Sequence, residues 1–265
     1  MKLDKLKDVL NSMESVVVAF SGGLDSSFLL KVAKDVLGEN VMAVMAVSPV
    51  YSDSETNAAK KIANDLDVEL KIIETREIDD PKFKSNPKDR CYWCKKELFG
   101  KILDIAKKNN FKHVIDGANH DDLGDYRPGS QAARELGVSS PLQEVGFTKD
   151  DIRSYSRQLG LSTWDKPSMA CLASRFPYGS EITIDKLKRV DKAENILRSL
   201  GFKQVRVRHY EDTARIEVNK DEISKLVSIK DEVDVAFKKT GYDYIIVDLE
   251  GYRMGSMNEN LVLRT

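Results

Sequence analysis

The feature that most constrains this chain is seven residues long: Ser21-Gly22-Gly23-Leu24-Asp25-Ser26-Ser27. It sits between the apolar run Val16–Phe20, which predicts a buried strand, and Ser26–Leu37, which carries apolar residues at helical spacing with Gly38 to end it. Two glycines let backbone approach a ligand closely. Amides at the start of a helix, with the helix dipole behind them, favour an anion. Ser21, Ser26 and Ser27 add hydroxyl donors. Asp25 would repel a phosphate unless it faced a metal, which assigns it to magnesium. The loop is neither GxxxxGK[ST] nor GxGxxG, and no lysine follows it. A simple Gly-Gly turn with a serine cap is the bland alternative.

Around this loop, apolar runs alternate with helical patterns. Val41–Val47, Val68–Ile73 and His113–Asp116 predict strands, and Val138–Leu142 a short fifth one. Helices are expected from Ser54 to Leu66, Cys91 to Lys108, Arg127 to Leu136, and from a capping box at Thr148 to Leu159. That order predicts an α/β fold whose parallel sheet is covered by helices on both faces. Ser162–Thr183 lacks periodicity, and a structureless stretch of roughly 20 residues inside a domain marks a linker or a functional loop. Beyond it, helix 184–200, strands 204–209 and 214–218, a helical stretch 222–239 broken midway, and strand 244–249 predict a small α+β unit, ferredoxin-like in order. We therefore expect domains at 1–165 and 184–265, joined by a cysteine-containing active-site loop at 166–183.

Composition excludes some classes. Lys plus Arg is 42 and Asp plus Glu 43 of 265 residues, a net charge of −1 that argues against a strongly basic nucleic-acid binder. The longest apolar run, Val41–Val47, is too short to cross a bilayer, and the first fifteen residues lack the apolar stretch of a secretory signal. A cytoplasmic protein, forming a homo-oligomer, is expected.

Three cysteines are not a disulfide framework. Cys91-Tyr92-Trp93-Cys94 opens a predicted helix among Arg90, Lys95 and Lys96, a setting that favours thiolate. Cys171 follows in the aperiodic loop. Thiolates suit zinc or iron–sulfur centres. Zinc would want four protein ligands. Three cysteines could hold three irons of a cubane and leave the fourth open to an exogenous sulfide. The alternatives are zinc, or a Cys91–Cys94 redox pair beside an inert Cys171.

The glycine-serine loop resembles the SGGxDS loop of the PP-loop ATP pyrophosphatase superfamily. The likeness goes further. Pro167-Ser-Met-Ala-Cys171-Leu-Ala-Ser-Arg175-Phe-Pro-Tyr-Gly179 and Asp116-Gly-Ala-Asn-His-Asp-Asp-Leu-Gly-Asp-Tyr-Arg-Pro-Gly129 are similar to stretches of the LarE sulfur transferases, over nearly the whole chain. That resemblance implies ATP and magnesium. It also implies a pyridinium-3,5-biscarboxylic acid mononucleotide substrate, whose carboxylates are adenylylated and converted to thiocarboxylates. One form of the family consumes the cysteine matching Cys171. The other, which has all three cysteines as this chain does, holds a 4Fe–4S cluster through residues matching Cys91, Cys94 and Cys171, and takes sulfide from a donor system. An anionic substrate needs cations, so Arg206 and Arg208, alternating on one strand face, and Arg175 are candidate clamps. Asp122, Asp125 and Arg127, after the fourth strand, are candidates for substrate or metal contact. Trp93 could stack on adenine, on the pyridinium or in the core, and the three histidines read as structural. Rival readings are a PP-loop tRNA thiolase with the same cluster, an ammonia-using ATP enzyme with zinc, and a non-catalytic nucleotide or iron sensor.

Overall fold

A computed structural model describes residues 1–50, 53–124, 128–167, 170–253 and 256. The chain divides into two compact units, one of residues 1–83 and 89–169 and one of 84–88 and 170–265.

The first unit is a doubly wound α/β layer. Helix α1 (Lys2–Met13) precedes β1 (Val16–Ala19), α2 (Leu24–Leu37), β2 (Val41–Val47), α3 (Asp53–Asp65) and β3 (Glu69–Glu74). Short α4 (Pro81–Lys84), long α5 (Arg90–Lys108), β4 (His113–Ile115), α6 (Pro128–Glu135), α7 (Pro141–Val145) and α8 (Lys149–Gln158) follow. The sheet order is β3-β2-β1-β4, with every pairing parallel. Side chains alternate between its two faces. Val16 and Val18 of β1 pack with α1 and α2, through Leu6, Leu10, Phe28 and Leu29, while Val17 packs with Leu98, Phe99 and Ile102 of α5. Both faces of the central strands are therefore apolar, which is why β1 and β2 read as unbroken hydrophobic runs.

Local chemistry sets the boundaries. Gly38 ends α2 at φ +60. Thr148 Oγ1 accepts from Asp151 N at 3.2 Å and Asp151 Oδ2 accepts from Thr148 N at 3.0 Å, so the capping box forms with Asp in place of Glu. The expected strand at Val138–Leu142 is corrected. Only a bridge from Ile115 to Ser139 forms, because Pro141 opens α7 immediately afterwards. Helix α1 carried no clear sequence signal, yet it buries Leu6, Leu10 and Met13.

The second unit contains α9 (Ile184–Ser199), β5 (Val205–Tyr210), β6 (Thr213–Val218), α10 (Ile223–Ser228), α11 (Lys230–Lys238) and β7 (Tyr244–Val247). Strands β5 and β6 pair antiparallel and β6 and β7 parallel, giving a three-stranded mixed sheet. The expected order of helix, strand, strand, broken helix, strand is thus met, and where a ferredoxin-like unit has four strands this sheet has three among the described residues. Val205, Val207, Ala214, Ile216 and Val218 turn one sheet face toward the helices, leaving Arg206, Arg208, Arg215 and Glu217 on the other. Among the described residues, no helix is long and apolar enough to cross a membrane.

Candidate active site

Strand β1 lies between β2 and β4, so the chain leaves it at the point where the strand order reverses. That crevice is where open α/β sheets bind ligands. Phe20 N still bonds Val44 O at 2.9 Å, and then the chain turns. Gly22 takes φ +67, and a Cβ built on it would stand 2.6 Å from Ala59 Cβ of α3. Only glycine satisfies both constraints. Gly23 is the N-cap of α2, and no side chain caps that helix start. Its first-turn amides face the crevice with the dipole behind them, the arrangement that receives an anion. Ser21 Oγ and Ser26 Oγ lie 3.1 Å apart, and Ser21 N donates to Ser26 Oγ at 3.3 Å, which fixes the loop's curvature. Ser27 Oγ is buried with no hydrogen-bond partner among the described residues. Asp25 sits half-buried on the first turn of α2.

The segment after β4 closes the other wall. A Cβ on Gly117 would come 3.0 Å from Ser26 N, so the glycine lets the two loops touch backbone to backbone. Asp116 Oδ1 braces this turn by accepting from Ala118 N at 3.2 Å and Ser140 Oγ at 2.7 Å. Asp122 is buried and accepts from Asn119 N at 3.1 Å, a bond that shapes the turn. Asp125 and Arg127 lie outside the described residues.

A cation that the sequence reading missed reaches the phosphate loop. Lys166 Nζ donates to the Gly22 carbonyl at 2.8 Å. Burial pushes its amine below the ordinary lysine value, with Glu55 of α3 opposing.

Cys91 and Cys94 occupy the first turn of α5, three residues apart and so on one helix face. Cys91 is exposed and accepts from Arg90 Nη2 at 3.8 Å, while Cys94 is half-buried. Trp93 donates Nε1 to Asp89 at 3.1 Å and lies 3.9 Å beneath the Lys82 ammonium. Both ends of that indole are engaged by its own unit.

Cys171 belongs to the second unit and leads into a single 3-10 turn, Leu172–Arg175. Arg175 holds this turn from inside. It is 1% exposed and donates from Nη1 to the carbonyls of Ala170 at 2.7 Å and Cys171 at 3.1 Å. Its other edge is paired with Glu194 of α9. Arg208 adds Nη1 to the Ser174 carbonyl at 3.0 Å and pairs with buried Glu217 through Nε and Nη2, at 2.9 and 2.7 Å. Arg206 is buried too, with its guanidinium 5.0 Å from the Tyr252 ring centre. Burial, then the charge of Arg175, pushes it down to about 10, against the pull of Glu194. Burial likewise pushes the Glu194 carboxyl up, but Arg175, Arg198 and Arg206 outweigh it and hold the group below the usual carboxylate range. Two of the three candidate arginines therefore converge on the Cys171 turn: Arg175 and Arg208 serve its carbonyls directly. Arg206 lies close enough to both to feel their charge.

The same segment is tied to the residues before α5. Asn86 Nδ2 donates to the carbonyls of Phe176 at 3.3 Å and Pro177 at 2.7 Å, and Gly179 N donates back to Asn86 O at 2.9 Å. Asn86 precedes Cys91 by five residues in the chain. Among the described residues, no group of three His, Cys, Asp or Glu is arranged to hold a metal ion.

Comparison with known proteins follows this geometry. Residues 3–113 match the NAD synthase family. An uncharacterized protein of Synechocystis sp., slr1717, is 44% identical over 98% of each chain. The pyridinium-3,5-bisthiocarboxylic acid mononucleotide synthase of Lactiplantibacillus plantarum is 41% identical over 95% of this chain and 92% of its own. The chain belongs to the LarE-like family of PP-loop proteins. It is an enzyme of the ATP pyrophosphatase superfamily, and ATP use comes with its PP-loop. The uncharacterized protein MJ0830 of Methanocaldococcus jannaschii is 33% identical over 95% of this chain and 97% of its own.

Proposed function

We propose that this chain activates the carboxylates of pyridinium-3,5-biscarboxylic acid mononucleotide with ATP and converts them to thiocarboxylates. The observation that carries the reading is the 41% identity to the L. plantarum synthase, over a span that takes in both compact units.

A carboxylate is a poor electrophile because oxide is a poor leaving group. In the proposed reaction a carboxylate oxygen attacks the α phosphorus of ATP. The bond to the β phosphate breaks, leaving an acyl-adenylate and pyrophosphate. Loop Ser21–Ser27 holds the phosphates through the first-turn amides of α2, and Asp25 would hold the magnesium, which would neutralise phosphate charge there. A sulfur nucleophile then attacks the activated carbonyl, and AMP leaves. Arg206 supplies positive charge to the substrate's carboxylates and phosphate, and Arg175 and Arg208, both paired with buried carboxylates, position the Cys171 turn.

The chemistry of the donor set fits a 4Fe–4S cluster, since the thiolates are soft and two of them share one helical turn. Cys91, Cys94 and Cys171 would hold it, and its fourth iron would supply the sulfide. A specific observation also favours a second reading. The Cys171 turn is held by Arg175 and Arg208 of its own unit, through the carbonyls of Ala170, Cys171 and Ser174. In that reading the Cys171 thiolate attacks the acyl-adenylate and AMP leaves; a base then takes the Cα proton of Cys171 as its Cβ–S bond breaks, so that the thiocarboxylate departs and dehydroalanine remains.

The test is iron and acid-labile sulfide content of protein purified without oxygen, followed by the protein's mass after one turnover. About four irons per chain, with an unchanged mass, support the cluster. Metal-free protein that loses one sulfur supports Cys171 as donor. Zinc, or ATP cleavage with ammonia as the only acceptor, defeats both.

A further inference from the structure

The phosphate loop has no cation of its own in sequence, and the structure delivers one from 144 residues downstream. We propose that Lys166 is the phosphate-binding cation of this loop: it contacts the departing pyrophosphate of ATP and neutralises the charge that develops there. The proposal rests on the ATP use set out above and names a further residue of that site.

Three observations place it. Lys166 Nζ stands 2.8 Å from the carbonyl of Gly22, inside the Ser21–Ser27 loop. The residues around the lysine are fixed, because Arg153 of α8 donates to the carbonyls of Trp164 at 2.7 Å and Lys166 at 3.1 Å. Lys166 N also closes a turn onto Thr163 O at 3.0 Å. The guanidinium of Arg157 lies 5.1 Å from the Trp164 ring centre, so α8 grips this stretch twice. Finally, the ammonium is partly desolvated, faces one carboxylate, Glu55, and is held below the ordinary lysine value by burial. A half-dry cation on a neutral carbonyl gains more from a phosphate oxygen than one in water would. A phosphate on the amides of α2 competes directly for that ammonium. In a Walker loop the lysine is part of the loop itself. Here it lies five residues before Cys171, so one segment carries both the phosphate cation and the thiol.

The test uses the intact wild-type protein first. Lysines are acetylated with acetic anhydride, with and without magnesium pyrophosphate, and sites are read by peptide mass spectrometry. Lys166 should lose about tenfold or more of its labelling rate, while exposed Lys230 should not change. Lys166→Met should weaken pyrophosphate binding by roughly 10- to 100-fold and slow substrate adenylylation, and Lys166→Arg should recover part of each. If wild-type protein binds pyrophosphate but Lys166 labels at the same rate and Lys166→Met binds as tightly, the lysine has no such role. If wild-type protein binds neither pyrophosphate nor ATP, the ATP reading itself falls, and this proposal with it.

Discussion

Arg175 and Glu194 form a two-pronged ion pair, Nε to Oε1 at 2.7 Å and Nη2 to Oε2 at 2.9 Å, with both side chains shut away from solvent. Glu194 also accepts from Arg198 Nη2 at 2.7 Å and from Val207 N at 3.1 Å. One carboxylate thus locks α9, β5 and the Cys171 turn together. Removing its charge leaves the buried Arg175 guanidinium, and the half-buried one of Arg198, poorly compensated. Glu194→Gln should destabilise the protein by about 3–5 kcal/mol, measured by urea denaturation. Replacing both partners, Arg175→Met with Glu194→Leu, should cost clearly less than the two single changes together. Additive losses would mean that the pair is incidental. The double variant, where folded, should still lose sulfur transfer, because the carbonyls of Ala170 and Cys171 lose their donor.

The phosphate loop gives a prediction in which shape alone is changed. Gly22→Ala meets both a left-handed φ and the 2.6 Å approach to Ala59 Cβ. It should abolish pyrophosphate release and cost about 1–3 kcal/mol of stability from backbone strain. Ala59→Gly in the same chain relieves the contact but not the dihedral, so ATP cleavage should stay impaired. Gly117→Ala has a milder problem, 3.0 Å to Ser26 N, and should raise the KM for ATP with little change in urea midpoint. Equal activity of all three variants would show that the loop does not hold phosphate.

What the sequence made legible follows from where the signals lie. The β1–loop–α2 unit was readable because its apolar run, its glycines and its helix start are contiguous. Val138–Leu142 was misread because a short apolar run carries no period, and Pro141 outweighed it. Lys166 was missed because its partner, Gly22, is far away in sequence and nothing local marks the contact. Glu194 did leave a trace. It lies on the buried stripe of α9 with Leu187, Val190, Ala193 and Leu197, where a carboxylate demands a partner. Naming that partner as Arg175 needed the tertiary fold. Arg206 and Arg208 were legible as alternating strand residues, but their burial was not, since solvated and buried arginines look alike in sequence.

His209 gives a pH prediction. Its ring is buried against Phe176, and Nδ1 lies 3.1 Å from the Tyr242 hydroxyl. Burial, then Lys186 and Arg189 against the opposing Glu211, pushes it down to about 4 from 6.5. The folded protein therefore holds the ring neutral where the unfolded chain would protonate it. This stability is fully present above pH 6.5 and is lost as pH falls toward 4, up to about 3 kcal/mol. Urea midpoints measured across that window should fall with acid in the wild type. In His209→Gln the slope over the same window should be shallower, and identical slopes would overturn the assignment.

The cysteines and Asp25 separate the two half-reactions. Cys91 and Cys94 sit on a helix turn away from the phosphate loop in sequence, so neither should be needed to cleave ATP. Cys91→Ala and Cys94→Ala should each keep substrate-dependent pyrophosphate release and lose bound iron and multiple turnover, as should Cys171→Ala. Asp25→Asn should do the reverse, keeping iron while losing pyrophosphate release by about 100-fold, since metal-held charge at a transferring phosphoryl group is worth several kcal/mol. The decisive comparison is turnover number under anaerobic conditions with sulfide supplied. If Cys91→Ala and Cys94→Ala still make thiocarboxylate at the wild-type rate, while Cys171→Ala makes none and wild-type protein stops after one sulfur per chain, Cys171 is the donor and the Cys-x-x-Cys turn is not part of the reaction.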